Sequence, residues 1–562
     1  MHIFRHEREL SNPQALWRAC AEATRSGSPL ELLLAAARLE CACSDAESGG
    51  EVDSCGRMAL LRLSTQAAAF YLGTGPRPGR PTLAAAAAAL PPPRTRLELA
   101  ALEGIRFYAL APETYARAAA QWMRGEKSER SPVWVLGLRS MGSVLAPVVA
   151  AALRARGWSA RLLTLRPAGA PQARELRLGT SLQAAWAQWR GKFLLVDEGP
   201  GLSGSSFGGA VGALATLGVG EERIALLAAW KPSPSQSARF ANAHAAGHWR
   251  SWRVYAAPAL EPPAIGPARE ISAGSWRQAF GVHGRTPVWP QHERRKFLRR
   301  DGRVIAKFAG LGAWGRAGWQ RAQVLAKAGW GPALAGRGDE QLEQGWVLYR
   351  RVPAAPLRRP GRSWCEHAGK YLAFVGAAFR AGEDQSPAET LQEMLRINLE
   401  RLAGAAAPAA APVGPRVLCD GHMLPWEWGE TRTGFVKFDG TDHGDDPFFP
   451  GPADIAWDLA AVEVEFGGAH GAATLAAYCH ASGEKPQRLA PRLAWHRLAY
   501  SAFRAAYCRF ACEQTQAPDQ ARFDRLARRY QQRLVRYLRS PTVMTAAPGG
   551  AESWKVLGAV KG

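Results

Sequence analysis

The sequence contains no apolar run of the roughly 18 residues that a membrane-spanning helix needs. Its first ten residues are charged and lack the apolar segment of a secretory signal. Nine cysteines are scattered along the chain, without CxxC pairs at the spacing of a zinc site. These absences argue against a helical membrane protein and against a zinc-binding module. We therefore expect a cytoplasmic protein with no membrane partner, whose thiols are reduced and mostly buried.

Acidic residues are scarce relative to basic ones. The chain has 71 Lys+Arg against 48 Asp+Glu, which gives a formal net charge of +23. Such a charge favours polyanionic partners. The sequence has no helix-turn-helix, zinc-finger or RNP motif, and its excess arginines are spread through an Ala-, Gly- and Arg-rich chain. We expect phosphorylated small molecules as partners, and nucleic acid remains an alternative that rests on charge alone.

The length of 562 residues is too great for one hydrophobic core. Segments rich in Pro, Gly and Ala at 73–93, 257–274 and 403–415 are typical of linkers or loops. The sequence therefore predicts the following division: a helical region at 1–95, an α/β domain at 96–256, a linker at 257–284, a second domain at 285–540 and a loose tail at 541–562.

Strand and helix patterns alternate in the predicted α/β domain. Apolar runs at 133–138, 161–165, 193–196 and 224–228 predict buried strands, and apolar residues at helical spacing lie between them. Alternation of this kind predicts a parallel sheet, whose ligands bind beyond the carboxyl ends of the strands.

Two acids and a small-residue loop follow the third predicted strand. Asp197 and Glu198 come directly after Phe193-Leu194-Leu195-Val196, and the loop that follows precedes a helix. Two carboxylates at a strand end can hydrogen-bond a cis-diol, and backbone N–H groups at a helix start can hold a phosphate. The loop residues expected to hold that phosphate are Ser203, Gly204, Ser205 and Ser206. The pattern indicates a ribose 5-phosphate site, and the alternative is an ordinary capped strand–turn–helix corner.

This segment resembles the PRPP-binding signature of type I phosphoribosyltransferases, over roughly residues 100–235. The resemblance implies a phosphoribosyltransferase-like parallel-sheet domain that transfers a phosphoribosyl group from PRPP and releases pyrophosphate. It implies catalytic roles for Asp197 and Glu198. It also implies a pyrophosphate loop and a basic lid, formed respectively by Arg139, Ser140 and Gly142 and by Arg166, Arg174 and Arg177. The loop after Glu198 is one residue longer than the family's, and the acceptor hood is expected at 100–125 or 236–256.

The second half of the chain carries a hairpin and then a series of acids. Lys307 lies on the second strand of the hairpin, whose turn is Asp301-Gly302. Asp420 follows a short apolar run, Asp439 follows Phe435-Val436-Lys437-Phe438, and Asp458 lies in the segment Asp-Ile-Ala-Trp-Asp-Leu-Ala.

This order resembles the aminoglycoside phosphotransferase and choline kinase group of kinase-like proteins. The resemblance implies an α+β two-lobed domain in which Lys307 binds ATP, Asp420 is catalytic and Asp458 supports the catalytic loop. Asp439 and Glu427 would bind Mg²⁺. Three positions depart from the family: Pro425 stands where an Asn ligand belongs, and Gln320 and Gln323 stand in the helix that usually carries a Glu.

Together the two halves predict an α/β multidomain, bifunctional enzyme of nucleotide-like small-molecule metabolism, with PRPP and ATP as substrates and Mg²⁺ as cofactor. The alternative is a regulator that binds PRPP or nucleotide without turnover. The acid-rich cluster after Asp439, which comprises Asp442, His443, Asp445 and Asp446, is either a metal site or a solvated loop. The acceptor and the oligomeric state stay open, a homo-oligomer included.

Overall fold

The computed structural model describes residues 1–539 apart from several internal segments. Those segments are 4–8, 48–50, 100, 127–130, 171–172, 202, 232–252, 263–264, 283–285, 337–344, 358, 383–387, 410–413, 442–447 and 450. The chain forms two compact units. The N-terminal unit comprises Glu7–Glu261 and Gly310–Ala313, and the C-terminal unit comprises Met1–His6, Pro262–Ala309 and Trp314–Gly562. The predicted tail at 541–562 lies outside the described residues.

Helices dominate the start of the N-terminal unit. They are α1 Pro13–Ser26, α2 Pro29–Ala46, α3 Cys55–Tyr71, α4 Arg80–Ala88, α5 Glu103–Arg106 and α6 Pro112–Gly125. A strand pair, β1 Glu9–Ser11 and β2 Leu97–Leu99, lies beside them. The α1 helix begins where its sequence predicts, because Asn12 Oδ1 accepts a hydrogen bond of 2.9 Å from the Ala15 N–H and Pro13 follows. The alanine run inside the predicted linker at 73–93 is helix α4, as the high helix propensity of alanine favours.

A parallel sheet forms the rest of the N-terminal unit. Its strands are β3 Val133–Leu138, β4 Ala160–Leu165, β5 Lys192–Val196, β6 Ile224–Ala228 and β7 Arg253–Ala256, and its further helices are α7 Met141–Arg154, α8 Thr180–Gln188 and α9 Ser205–Thr216. The described strands lie in the order β4-β3-β5-β6-β7, all parallel. The apolar runs of β3 and β6 are buried along their whole length, and β5 is buried from Phe193 to Val196. The predicted parallel sheet is therefore confirmed.

Antiparallel strands open the C-terminal unit, and helices follow. The strands are β8 Ala268–Glu270, β9 Lys296–Arg299, β10 Val304–Phe308, β11 Trp346–Arg350, β12 Ala355–Pro356, β13 Arg416–Val417, β14 Trp428–Thr431, β15 Gly434–Lys437 and β16 Ala453–Asp454. The helices are α10 Trp276–Ala279, α11 Gly312–Lys327, α12 Arg362–Ala378, α13 Ala388–Ala403, α14 Ala456–Phe466, α15 Gly468–Ser482, α16 Pro486–Gln514 and α17 Asp519–Leu538.

Within the described ranges, the strands of the C-terminal unit form three antiparallel groups. Their orders are β11-β10-β9-β8, β12-β14-β15 and β13-β16. Strand β8 lies inside the predicted linker at 257–284, so that segment is partly structured. Its sequence gave no strand signal because all three of its residues are exposed at the edge of the sheet. The largest fully buried side chains of this unit include Trp364, Trp428 and Trp457, which belong to one apolar core.

Among the described residues, none of the helices combines the length and the apolar character that crossing a membrane requires. All nine cysteines are free thiols, and six of them are buried. The expectation of mostly buried thiols is confirmed.

Candidate functional site

The hairpin β9–β10 positions Lys307. Gly302 in its turn has φ of 70°, a left-handed conformation that glycine adopts without strain. Strand β10 pairs with β9 on one side and with β11 on the other, so Lys307 lies on an inner strand of its sheet. Only 5% of Lys307 is exposed. A lysine this buried needs an anionic partner.

That partner is Asp439. Lys307 Nζ lies 2.8 Å from Asp439 Oδ1, and Lys296 Nζ lies 3.6 Å from Asp439 Oδ2. Lys296 is also paired with Glu293 at 2.7 Å. Asp439 lies two residues beyond the end of strand β15 and has φ of 60°, which is uncommon for a residue with a side chain and is enriched at functional sites. The structure therefore brings together two residues for which the sequence predicted a shared site.

Asp420 is buried, with 1% exposure, and its carboxylate is fully engaged. Oδ2 accepts a hydrogen bond of 2.6 Å from the Tyr371 hydroxyl. Oδ1 accepts one of 3.1 Å from the His422 N–H and lies 3.2 Å from Lys437 Nζ. Because Asp420 is buried among these partners, they would have to rearrange before a substrate hydroxyl could reach its carboxylate.

Asp458 holds the backbone around Asp420. Its two carboxylate oxygens accept hydrogen bonds of 2.8 and 2.9 Å from the N–H groups of Asp420 and Gly421. Burial, together with the neighbouring Asp420 carboxylate, raises the pKa of Asp458 to about 7, although the two N–H groups oppose that rise. This contact is the one expected of a residue that supports the catalytic loop.

Lys437 and Tyr371 were missed by the sequence reasoning. Lys437 Nζ lies 2.7 Å from Glu427 Oε2, 2.9 Å from the Phe438 carbonyl oxygen and 3.2 Å from Asp420 Oδ1. Burial alone would lower the pKa of Lys437, but the Asp420 and Glu427 carboxylates raise it above its usual value. The available signal was a lysine at the end of an apolar strand. Tyr371 gave none, because it lies on a helix whose other aromatic residues belong to the core.

The predicted magnesium ligands differ in their availability. Asp439 keeps 32% of its side chain exposed, so its carboxylate can contact a cation while it remains paired with Lys307. Glu427 is 9% exposed and is paired with Lys437, and Pro425 lies in the 3₁₀ turn Pro425–Glu427. Among the described residues there is no group of three or more His, Cys, Asp and Glu side chains that could hold a metal. Asp439 is therefore the more accessible of the two, and both magnesium roles remain predictions. Asp442, His443, Asp445 and Asp446 lie outside the described residues.

Helix α11 carries Gln320 and Gln323 where the kinase-like resemblance leads one to expect a glutamate. Arg321 on this helix donates from Nε to the Thr441 carbonyl oxygen at 3.0 Å, two residues beyond Asp439. The Tyr349 hydroxyl shares a hydrogen bond of 3.0 Å with Thr441 Oγ1. The helix is thus connected to the Asp439 segment through an arginine, and the ion pair of Lys307 is made with Asp439.

In the N-terminal unit, Asp197 and Glu198 lie directly beyond the carboxyl end of β5, near the middle of the sheet. The Tyr115 hydroxyl donates to the Asp197 carbonyl oxygen at 2.8 Å, which fixes the backbone there. Burial raises the pKa of the Asp197 carboxyl to about 7, while the Glu198 N–H and the charges of Arg166 and Arg174 oppose that rise. A carboxyl with such a pKa changes charge near neutrality.

The loop after Glu198 turns into helix α9 at a left-handed glycine. Gly204 has φ of 64° and precedes Ser205, the first residue of α9. Ser203 Oγ accepts a hydrogen bond of 3.3 Å from the Ser205 N–H, and the two hydroxyls are 2.9 Å apart. Arg174 Nη1 donates to Ser206 Oγ at 2.7 Å. The predicted phosphate loop and one predicted lid arginine therefore meet, whereas Leu202 lies outside the described residues.

Arg139, Ser140 and Gly142 occupy the turn from β3 into α7. Gly142 is required there, because a Cβ would lie 2.7 Å from the carbonyl carbon of Gly137 and 2.8 Å from the Val196 carbonyl oxygen. Ser140 has φ of 93°, a strained value for a residue with a side chain. The guanidinium of Arg139 is 2.5 Å from Glu51 Oε1 and 2.7 Å from Asp45 Oδ1. The role of Arg139 in pyrophosphate binding remains a prediction, and it would require exchange of these partners.

Arg166 is similarly engaged. It donates to Asp45 Oδ2 at 2.6 Å, to the Arg139 carbonyl oxygen at 2.8 Å and to Ser140 Oγ at 3.1 Å. Arg174 and Arg177 are exposed. The sequence reasoning missed Asp45 and Glu51, because acids in a helical segment look like ordinary surface residues. Residues 236–252 of the hood predicted at 236–256 lie outside the described residues.

No protein-family model matches the sequence, and no curated protein sequence matches it. Solved structures match with low scores. A choline/ethanolamine kinase family protein from Mesorhizobium loti is 18% identical, covers 44% of this chain and 86% of its own length, and has a TM-score of 0.31. A macrolide 2'-phosphotransferase type I is 16% identical over 46% of this chain and 99% of its own, at 0.30. An aminoglycoside phosphotransferase from Alicyclobacillus acidocaldarius is 15% identical, covers 46% of this chain and 98% of its own length, and has a TM-score of 0.28. At these scores the likeness carries no argument, and the proposals below rest on the contacts of this chain.

Proposed function

We propose that the C-terminal unit binds a nucleoside triphosphate, ATP being the first candidate, in a kinase-like cleft. The observation that carries the proposal is the ion pair between Lys307 on β10 and Asp439 after β15, beside a buried Asp420 whose backbone is held by Asp458. A strand lysine faces nucleotide phosphates, and a strand-end acid takes the cation that bridges them, in the arrangement that phosphoryl transfer uses.

The roles of the side chains follow from their exposure and charge. Lys307 and Lys296 would meet the phosphates, and Asp439 would hold Mg²⁺, which neutralises phosphate charge when bound. Asp420 would orient an acceptor hydroxyl after the Tyr371 hydroxyl gives up Oδ2. Because transfer needs this rearrangement, we place nucleotide binding ahead of phosphotransfer. A regulator that binds nucleotide without turnover is the alternative.

The test is calorimetric titration of the full chain with ATP and Mg²⁺. We expect saturable binding that Lys307→Met weakens by about tenfold or more, since a hydrogen bond to a charged group contributes about 1.5–3 kcal/mol. Lys327→Met is the matched control, because Lys327 is exposed at the end of α11. Absence of ATP binding by the wild type would refute the proposal. Release of ADP in the presence of a hydroxyl acceptor would indicate an enzyme, and ATP binding without release of ADP would indicate a regulator.

We further propose that the N-terminal unit binds a ribose 5-phosphate such as PRPP. The observation that favours it is the convergence, at the carboxyl edge of one parallel sheet, of Asp197 and Glu198 with the loop of Ser203 to Ser206 and with Arg174. Ligands of open parallel sheets bind at this edge. Two acids suit the ribose hydroxyls, and N–H groups at the start of α9 suit the phosphate.

This second proposal is tested with Mg-PRPP and the full chain. Binding is expected to weaken about tenfold or more in Asp197→Ala and to be unchanged in Asp53→Ala, which removes an exposed carboxylate of the same unit. Pyrophosphate release would indicate phosphoribosyl transfer, and binding without release would favour the regulator. If millimolar PRPP leaves the wild type unaffected, the proposal is wrong.

A further inference from the structure

Lys437 ends strand β15 with its ammonium group buried between two acids. It is 2% exposed, and its Nζ contacts Glu427 Oε2, the Phe438 carbonyl oxygen and Asp420 Oδ1 at 2.7, 2.9 and 3.2 Å. An ammonium has three hydrogen-bond donors, so these three oxygens use its whole capacity. Strand β15 therefore places a fixed positive charge beside Asp420 and Glu427, the two acids that follow β13 in the sequence.

The acids around the cleft fall into two groups by their partners. Asp420 and Glu427, with 1% and 9% exposure, share Lys437. Asp439 is paired with Lys307 and, at 3.6 Å, with Lys296, whose shorter contact of 2.7 Å is with Glu293. Asp439 keeps 32% of its side chain exposed. Asp439 thus remains accessible to a cation, while Asp420 and Glu427 are buried and share a single ammonium group.

A divalent cation placed between Asp420 and Glu427 would have to displace the ammonium of Lys437 or lie close to it. Mg²⁺ needs oxygen ligands at about 2.0–2.1 Å with near-octahedral geometry. The oxygens that Asp420 and Glu427 turn towards Lys437 already contact an ammonium group that is covalently part of the chain. Pro425, where the kinase-like resemblance expected an amide ligand, has no side-chain donor at all.

We infer that Lys437 replaces a divalent cation at Asp420 and Glu427, so that the cleft accepts a single divalent ion, held by Asp439 together with the bound nucleotide. This inference rests on the proposed nucleotide binding. Lys437 is accordingly a positioning residue: it joins strand β15 to the loop of Asp420 by an internal ion pair. Lys437 thus supplies the positive charge beside Glu427, where the sequence predicted a bound Mg²⁺.

The experiment counts bound Mn²⁺ ions by electron paramagnetic resonance on the full chain saturated with ATP. The wild type is expected to bind one Mn²⁺ per bound ATP. Glu427→Gln should leave the Mn²⁺ affinity within about twofold, whereas Asp439→Asn should weaken it by about tenfold or more. Two ions per ATP in the wild type, or a loss of affinity in Glu427→Gln that matches the loss in Asp439→Asn, would overturn the inference while the nucleotide site stands. Failure of ATP to bind at all would overturn both.

Removal of the internal cation provides the converse measurement. Lys437→Met keeps most of the length of the side chain and removes the positive charge between the two carboxylates. We therefore expect a second Mn²⁺ per complex and Mn²⁺ binding in the absence of ATP that is at least tenfold tighter than in the wild type. The double variant with Glu427→Gln should lose that gained site, and Lys327→Met should gain none. If the Lys437→Met protein is folded but binds no additional Mn²⁺, the inference is contradicted. If Lys437→Met does not fold, the wild-type stoichiometry and Glu427→Gln decide.

Discussion

The guanidinium of Arg492 and the carboxylate of Asp454 form a two-point ion pair in the interior of the C-terminal unit. Arg492 Nε donates to Asp454 Oδ2 at 2.6 Å, and Nη2 donates to Oδ1 at 2.5 Å. Asp454 belongs to β16, which pairs with β13 just before Asp420, and its Oδ1 also accepts a hydrogen bond of 2.9 Å from the Ala456 N–H. Arg492 on α16 thereby helps to fix the strand pair that positions Asp420.

Arg492→Met should destabilise the C-terminal unit by about 3–5 kcal/mol, because it leaves a buried carboxylate without its charge partner. Glu484, which also pairs with Arg492, loses its cationic partner as well and keeps the hydrogen bond from the Tyr478 hydroxyl. Chemical denaturation that follows tryptophan fluorescence measures the change. The matched control is Arg528→Met, whose pair with Asp524 is exposed (71% and 42%) and should contribute far less to stability. Equal effects of the two variants would contradict the prediction.

A second prediction concerns the stability of the N-terminal unit against pH. The pKa of Asp197 is raised from 3.8 to about 7, chiefly by burial. Between pH 4 and pH 7 the folded protein keeps a proton that the unfolded chain has lost, so rising pH favours unfolding through this group. Asp197→Asn, which carries no charge at any pH, should therefore be more stable than the wild type at pH 8, by about 2 kcal/mol, and closer to it at pH 5.

Thermal unfolding at the two pH values tests this expectation, with Asp53→Asn as the control because Asp53 is exposed. For a unit of this size, about 2 kcal/mol corresponds to a rise of roughly 4–8 °C in Tm. A Tm of Asp197→Asn below that of the wild type at pH 8 would mean that Arg166 and Arg174 stabilise the carboxylate more than burial opposes it.

The sequence predicted the elements whose side chains are uniformly apolar. The runs Val133–Leu138 and Ile224–Ala228 are strands with the predicted bounds, because strands of a sheet that is covered on both faces consist of near-continuous apolar residues. The Asp301-Gly302 turn was also predictable, because a tight hairpin turn needs positive φ and glycine adopts it without strain. By contrast, β8 was not predicted, because edge strands have no apolar pattern.

Within the sites, strand-end acids were predictable and their partners were not. Asp197 and Asp439 follow apolar strands, so their positions at a sheet edge follow from the pattern. The contacts of the other site residues were not predictable. Lys437 and Tyr371 contact Asp420, and Asp45 and Glu51 contact Arg139; these partners come from other elements, and only the fold brings them near. The sequence therefore proposed Arg139 as a free phosphate ligand, whereas the structure shows it between Asp45 and Glu51.

A third prediction concerns the close contact between β3 and α7. Gly142→Ala should destabilise the N-terminal unit by about 2–3 kcal/mol, because the added Cβ would overlap backbone atoms of Gly137 and Val196 that have no room to move. Gly56→Ala is the matched control, since its Cβ would lie 3.6 Å from that of Ala89, an ordinary contact, and alanine favours helix α3. Hydrogen exchange of the β3 amides would report the difference, and similar exchange rates in the two variants would show that α7 can shift to accept the methyl group.

The last prediction separates the three predicted lid arginines. Pro167 follows Arg166 in the sequence, so trypsin does not cut there, and Arg166 is in any case held by Asp45 and Ser140. The informative bonds are those after Arg174 and Arg177, whose side chains are exposed. If pyrophosphate or PRPP binds beside Ser206, Arg174 should contact the ligand, and cleavage after Arg174 and Arg177 should slow by about tenfold at a ligand concentration ten times Kd.

The internal control for this experiment is the bond after Arg94, which lies in an exposed turn of the same unit. Its cleavage should be independent of ligand, because Arg94 is not among the residues assigned to the site. Mass spectrometry of timed digests measures both rates in one sample. Slowing at Arg94 as well as at Arg174 and Arg177 would indicate general stabilisation of the unit by the ligand. Equal cleavage after Arg174 and Arg177 with and without ligand would remove the lid from the proposal, since a segment that closes over phosphates cannot remain equally open to a protease.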